Sequence, residues 1–321
     1  MNLNFKSIKN KKVLTVTLNP AIDKQWSVKS LEIGEVNRIN QVSNSAGGKG
    51  LNEARALHQL GINVVVTGII AGENGSYLMR ALDKEKIKHQ FYKLQYGQTR
   101  ICVNANNVVN HQITELLEPG PTVNKTDANK FLIFFQKLIK GFDIVSLAGS
   151  LPHGLEPMFY GKLIKICHKQ KIEVFLDTSG ASLIDNLINK PNFVKPNVDE
   201  IRQLLKRKNF SKKQAIDFAK EQVKNGISNF VISLGEDGAL LITKQGIYHA
   251  IPPKHLIVNT VGCGDTLVAG FLACELLEAS SEQKITFATG LATNASTTKG
   301  TAEINLKTLN DHFPKVIITS N

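Results

Sequence analysis

Apolar and polar positions alternate along this chain in two rhythms. Short, nearly continuous apolar runs read as strands: Val13 to Leu18, Val64 to Ile70, Ile144 to Ala148, Val174 to Leu176, Phe193 to Val194 and Phe230 to Leu234. Between them lie stretches with helical spacing. After the glycines at 47–50, Leu51, Ala54, Leu57 and Leu60 recur on one face. Tyr77 to Glu85, Phe131 to Ile139, Phe159 to Cys167 and the apolar run after Asp265 read as further helices. Continuous apolar strands separated by helices predict an α/β fold, a doubly wound, mainly parallel sheet with helices on both faces. Two regions break the alternation. Gln25 to Val42 and Arg100 to Leu117 look like extended, partly polar strands. They predict a small β-sheet lid, with strands within about residues 20–45 and 98–118, whose exposed face would make a homodimer contact. No repeat or long linker appears, so a basic tail at 1–12 should precede a single domain over 13–321.

Composition narrows the function classes. No run approaches the roughly 18 apolar residues of a membrane span, and the N-terminal residues lack the apolar region of a signal peptide. Cys102, Cys167, Cys263 and Cys274 are far apart, as are the eight histidines, which argues against a zinc site and fits a reduced, cytoplasmic setting. The net charge is +12, and Arg202 to Lys213 is strongly basic. No nucleic-acid motif or interleaved aromatics accompany that run, so it reads as a solvated helix face rather than a nucleic-acid patch. A basic surface also suits polyanionic substrates.

The chemistry is concentrated in N-T-V-G-C-G-D-T (Asn259 to Thr266), which opens directly into an apolar helix. Gly262 and Gly264 let the backbone turn N–H groups toward one point, and the helix start adds its positive end there. An aspartate at an anion site calls for a reason. Drawing a proton from a nucleophile that attacks the bound anion is one, and it describes phosphoryl transfer. The bland role for Asp265 is helix capping. Four other motifs follow strands: A-G-S-L-P (Ala148 to Pro152), D-T-S-G (Asp177 to Gly180), K-P-N-V-D-E (Lys195 to Glu200) and S-L-G-E-D-G (Ser233 to Gly238). In doubly wound sheets such strand ends share one cleft. Neither common nucleotide signature is present. Lys49 is followed by Gly50 rather than Ser or Thr, and G-C-G lacks the third glycine of a dinucleotide fingerprint.

V-N-T-V-G-C-G-D-T-L-V-A-G-F resembles the C-terminal signature of the PfkB, or ribokinase-like, carbohydrate kinases, and S-A-G-G-K-G-L-N-E-A-R-A-L-H-Q-L-G (Ser45 to Gly61) resembles their N-terminal signature. T-L-N-P-A-I-D, S-L-P-H-G, V-K-P-N-V-D-E and I-S-L-G-E-D-G-A follow in family order, over about residues 13–300. N-P-A-I-D, Q-T-R-I and E-P-G-P are similar to the tagatose-6-phosphate kinase and 1-phosphofructokinase branch.

The resemblance implies a ribokinase-like fold and an ATP- and Mg²⁺-dependent kinase of a ketohexose phosphate, tagatose 6-phosphate or fructose 1-phosphate. The alternatives are fructose 6-phosphate, an unphosphorylated sugar or nucleoside, and a non-catalytic sugar-phosphate sensor. It implies Asp265 as base, with Gly262, Cys263 and Gly264 offering N–H groups to the transferring phosphoryl. Asp23 and Asn52 would hold sugar hydroxyls, Gly47 and Gly48 would allow close approach, and Ser150 would line the sugar site. Lys49 and Arg100 would grip a phosphate already on the substrate. Lys195, Asn197, Ser233, Gly235, Gly238 and Asn294 would contact nucleotide, and Asn197 and Glu200 would position the metal. Cys263 departs from the family's usual alanine or serine, and a thiol at a helix start is expected to have a lowered pKa.

Overall fold

A computed structural model of the chain describes residues 4–109 and 112–319. Residues 1–3 of the expected basic tail and 110–111 of the expected lid lie outside the described residues. Where it is described, the tail packs down: a single turn at Phe5–Ile8 buries Ile8, and the Phe5 ring lies 5.4 Å from Phe287.

The chain runs through β1 (Lys12–Thr17), β2 (Ala21–Val28) and β3 (Gln41–Gly47) into α1 (Lys49–Gln59), then β4 (Asn63–Ala71) and α2 (Gly72–Lys84). Short strands β5 (Lys88–His89) and β6 (Tyr92–Leu94) lead to β7 (Arg100–Asn107), β8 (Ile113–Leu117) and α3 (Lys125–Leu138). Then come β9 (Ile144–Ala148), α4 (Phe159–Lys169), β10 (Glu173–Asp177), α5 (Gly180–Ile184) and β11 (Phe193–Val194). The remainder holds α6 (Val198–Leu205), α7 (Lys212–Lys224), β12 (Asn229–Ser233), β13 (Ala239–Ile242), β14 (Ile247–Ile251), α8 (Cys263–Leu276), α9 (Ser281–Ser296) and β15 (Lys315–Thr319).

In the main sheet β5, β4, β1, β9, β10, β11 and β12 lie side by side and parallel, with β6 also on β4. Every residue of β9 is buried, because helices exclude water from both faces. One face packs under α1, α8 and α9 through Leu51, Leu57, Phe271 and Leu291. The other packs under α3, α4 and α7 through Phe131, Phe135, Leu163 and Ala219. Each such leucine or phenylalanine stabilises the fold by about 1.5–3 kcal/mol. Helix α8 is apolar almost all round because α1, α9 and the sheet enclose it. A side chain at Gly270 would stand 2.5 Å from the Ala288 Cα, so α9 can approach only a glycine there. This packing sets the start of α8 beside the start of α1.

The sheet has one edge the pattern did not suggest: β13, β14 and β15 finish it as an antiparallel meander. The lid is a second sheet in the order β3-β2-β7-β8, with β2 and β7 parallel. The expected extended region Gln25 to Val42 is two strands with a loop between them. Ile33 and Val36 in that loop are 99% and 84% exposed. All four cysteines are free, and among the described residues no helix is long and apolar enough to cross a membrane.

Candidate active site

The carboxyl ends of the parallel strands open toward the first turns of α1 and α8. Gly262, in the left-handed region at φ +82°, caps α8 without any side-chain bond, so Asp265 stands in the first turn rather than at the cap. Its carboxylate accepts a 2.8 Å hydrogen bond from the Asn52 amide on α1. The Asn52 oxygen is held by Arg55 at 2.9 Å, and Arg55 is clamped by both oxygens of Glu85 at 2.7 and 3.0 Å. This chain fixes which way the Asn52 amide points. Asn52 is therefore committed to Asp265 and Arg55, more than the sugar-binding expectation allowed.

Asp177, at the end of β10, is the hub of the site. Its side chain has no exposed surface and is paired with Lys49 at 3.1 Å and Lys195 at 3.4 Å. Burial opposes its ionisation, yet the two ammonium groups outweigh that and hold its pKa below the usual range. Burial likewise works against the Lys49 charge, but Asp177, Asp265 and Glu200 hold it protonated. Lys195 lies beside the anion loop: a side chain at Gly264 would stand 3.6 Å from its Nζ. Asp265 is pushed up to about 6, chiefly by burial and then by Asp177, with Lys49 and Asn52 pulling the other way. A carboxyl poised there is a competent base near neutral pH.

Lys49 is thus tied to Asp177 and lies in the field of Asp265. Cys263 corrects an expectation. Burial and then the Asp265 charge push its thiol up to about 12, and the sulfur donates to the Asn259 carbonyl at 3.6 Å. The Cys263 N–H donates to Thr260 at 3.2 Å, which leaves Gly262 and Gly264 as the loop's candidate anion donors.

The lid supplies the other end. Asp23 on β2 lies against the backbone of β3, where any side chain at Gly47 would overlap its carboxylate. Gly48, at φ +122°, caps α1 close to Thr17. Burial raises Asp23 to about 6, with Arg100 and Arg55 opposing the shift. Arg100 opens β7, in register with Ala21, and donates to the Asn19 and Glu118 carbonyls at 3.1 and 3.4 Å. Among the described residues it makes no salt bridge, and its charge acts on the Asp23 carboxyl, pulling that pKa down. Ser150 is exposed at the end of β9.

A cavity of about 560 Å³ runs from Cys263 and Gly264 past Asn197, Ser233, Gly235 and Gly238 to Thr293 and Ser296 on α9. Its size suits a nucleotide. Asn294 does not line it. That amide is fully buried and spent on Asn305, Thr308 and His312, tying down the C-terminal segment. Asn197 and Glu200 form a reciprocal capping box at 2.8 Å in each direction, so Asn197 is the cap of α6 rather than a helical neighbour of Glu200. Two residues escaped the sequence reading. Asp177 stood in a noted strand-end motif, D-T-S-G, which was the available signal. Glu53 is fully buried on α1, with the Ser146 hydroxyl nearby opposing the rise of its pKa, and nothing in the pattern marked it.

A doubly wound sheet with a phosphate-type loop, a buried carboxyl and a nucleotide-sized cavity at its strand ends fits an α/β group-transfer enzyme. The chain belongs to the pfkB family of carbohydrate kinases, whose profile matches residues 17–309. It is therefore a phosphotransferase acting on a sugar, in a family whose kinases use ATP. A Thermotoga maritima protein described as a possible 1-phosphofructokinase is 26% identical, with TM-score 0.87 over 96% of this chain and 100% of that one. Phosphofructokinase-2 from Escherichia coli in complex with fructose-6-phosphate is 25% identical, with TM-score 0.83 over 89% and 94%. That enzyme also has a tetrameric inhibited form. Arabidopsis thaliana ribokinase, complexed with ribose and ATP, shares the fold at 19% identity, with TM-score 0.74 over 94% and 98%, in line with the expected ribokinase-like architecture.

Proposed function

We propose that the protein transfers the γ-phosphoryl group of ATP to the free primary hydroxyl of a ketohexose phosphate, with Mg²⁺, giving a bisphosphate. Tagatose 6-phosphate and fructose 1-phosphate are the leading acceptors. The observation that carries this reading is Arg100, a cation beside Asp23 with only backbone carbonyls for partners. A guanidinium with no salt bridge among the described residues, at a sugar-binding mouth, matches a substrate that already bears phosphate. Fructose 6-phosphate is the second reading, supported by the likeness to the Escherichia coli enzyme.

Asp265 takes the hydroxyl proton as the sugar oxygen bonds to the γ-phosphorus, and the bond to the β-phosphate oxygen breaks to release ADP. Lys195, Lys49 and the first turn of α8 meet the charge spread over the transferring group. Asp23 orients the sugar. Asn197, Ser233, Gly235 and Gly238 border the nucleotide. For the metal, the capping box occupies one Glu200 oxygen and leaves the other, which suits a cation that keeps most of its waters. Bound there, Mg²⁺ would neutralise phosphate charge.

The lid face opposite Asp23 carries Val42 and Leu116, each more than half exposed, and this supports a homodimer through the lid sheet. Nucleic acid and membrane are not expected partners. A coupled ADP-release assay over sugars and sugar phosphates tests the substrate class. Ketohexose phosphates should exceed plain ketohexoses in kcat/KM by about a hundredfold, as lost charge-assisted bonds imply. Equal turnover of both would overturn the reading.

A further inference from the structure

The basic run from Arg202 to Lys213 is not used by the cleft described above. It leaves α6, rounds a short loop and enters α7, and in doing so walls a second cavity of about 530 Å³. The floor of that cavity is apolar, with Ala215, Ile232 and Leu240 buried and Phe210 half-buried. Its rim is cationic: Arg202, Lys208 and Lys212 stand against a single lining carboxylate, Asp237. Arg202 is already committed, to Asp199 and to the Lys208 carbonyl at 2.9 Å. Lys208 and Lys212 make no ion pair among the described residues.

Lys212 is held in place without losing its charge. Its Nζ is 3.3 Å from His249 Nδ1, and His249 Nε2 is 3.2 Å from the Asp237 carbonyl oxygen. A carbonyl only accepts, so the imidazole proton belongs on Nε2 and Nδ1 accepts from the lysine. Burial, with Lys212 adding to it, keeps His249 below its ordinary pKa, in keeping with a neutral ring. Val198 and Leu234 border both this cavity and the nucleotide-sized one, so the two stand back to back across the start of α6.

An apolar floor beneath uncancelled ammonium groups selects an anion with a flat apolar body. The enclosed volume suits a small molecule, and a single aromatic offers no stacking track for a strand of nucleic acid. We propose that this cavity binds a phosphorylated small molecule of nucleoside-monophosphate type, its ring on the floor and its phosphate on Lys208 and Lys212.

AMP is the probe, titrated calorimetrically into protein whose main cleft is saturated with a non-hydrolysable ATP analogue. The comparison is with Lys208→Glu/Lys212→Glu, both exposed positions, with unchanged Tm and ATP-analogue affinity as the check on folding. The expected result is one AMP per chain, weakened about tenfold or more by the charge reversal, and weaker binding of adenosine. Three results would overturn the proposal: no AMP binding with the cleft filled, an affinity indifferent to the double variant, or adenosine binding as tightly as AMP. Retention of a single-stranded oligonucleotide, lost in the variant while AMP fails to bind, would assign the run to nucleic acid instead. The readout is binding, so its failure is distinct from failure of the proposed reaction.

Discussion

Asp265 and Asp23 are both buried carboxylates raised to about 6, yet they sit in opposite kinds of surroundings. Asp265 stands on a helix enclosed by core, its orientation relayed from Glu85 through Arg55 and Asn52, with Lys49 and Lys195 fixed nearby by Asp177. Asp23 stands on a lid strand, between the bare backbone of Gly47 and the Arg100 guanidinium, in a sheet whose outer face is open to solvent. The end of the cleft proposed for phosphoryl transfer is fixed by the same packing that stabilises the fold. The lid end rests on a separate four-stranded sheet with Val42 and Leu116 exposed.

The comparison can be broken most directly at Asp265. Replacing it with Asn should lower kcat by about 10²–10⁴-fold with little loss of Tm, measured by ADP release and thermal melting. A variant retaining near-wild-type kcat would remove the base from the phosphoryl end. Asp177→Ala should strike both fold and function, since it leaves the buried Lys195 and the partly exposed Lys49 without their carboxylate. A stability loss of about 3–5 kcal/mol is expected from denaturant melts, whereas a hub of no structural weight would leave the midpoint unmoved.

At the lid end, Arg100→Ala should cost about 10–100-fold in kcat/KM for ketohexose phosphates and little for plain sugars, with Tm unchanged. An equal loss on both would show that Arg100 does not read the phosphate. The pH profile addresses both ends together. Because a base must be ionised to act, kcat/KM should fall below about pH 6 by roughly tenfold per unit, steepening if Asp23 must ionise as well. A flat profile down to pH 5 would contradict the burial-raised carboxyls.

The smallest expected effect is at Glu53. Burial raises its carboxyl well above the ordinary value in the folded state, so its contribution to stability is full below that ordinary value and is lost as pH climbs through the folded one. Glu53→Gln should therefore raise Tm by a few degrees at pH 8 and less at pH 5. A larger gain at pH 5 would reverse the sign.

The parallel half of the main sheet was legible because its strands are apolar on both faces, a signal that needs no tertiary information. The β13–β14–β15 edge was not, since short antiparallel strands leave a weak and ambiguous pattern. At the site, the phosphate loop and Asp265 were readable from local backbone chemistry. Asn294 was misplaced because nothing near it in the chain reveals that its amide is used up by a segment 11 to 18 residues further on. The Asn197/Glu200 spacing carried both a metal reading and a capping box, and only the coordinates display the second.

By itself, then, the sequence determined the layered α/β fold, the family, and the groups able to perform phosphoryl transfer, because periodicity, turn glycines and motif order are local properties of the chain. Which charges meet was decided only by tertiary structure. Asn52 and Asp265 are 213 positions apart, and Lys49 and Asp177 are 128 apart. Their contact depends on how α1, α8 and β10 pack. That packing ties Lys49 to Asp177 and pushes the Cys263 thiol up rather than down. Electrostatics falls off over a few ångströms of space, a distance that sequence separation does not measure.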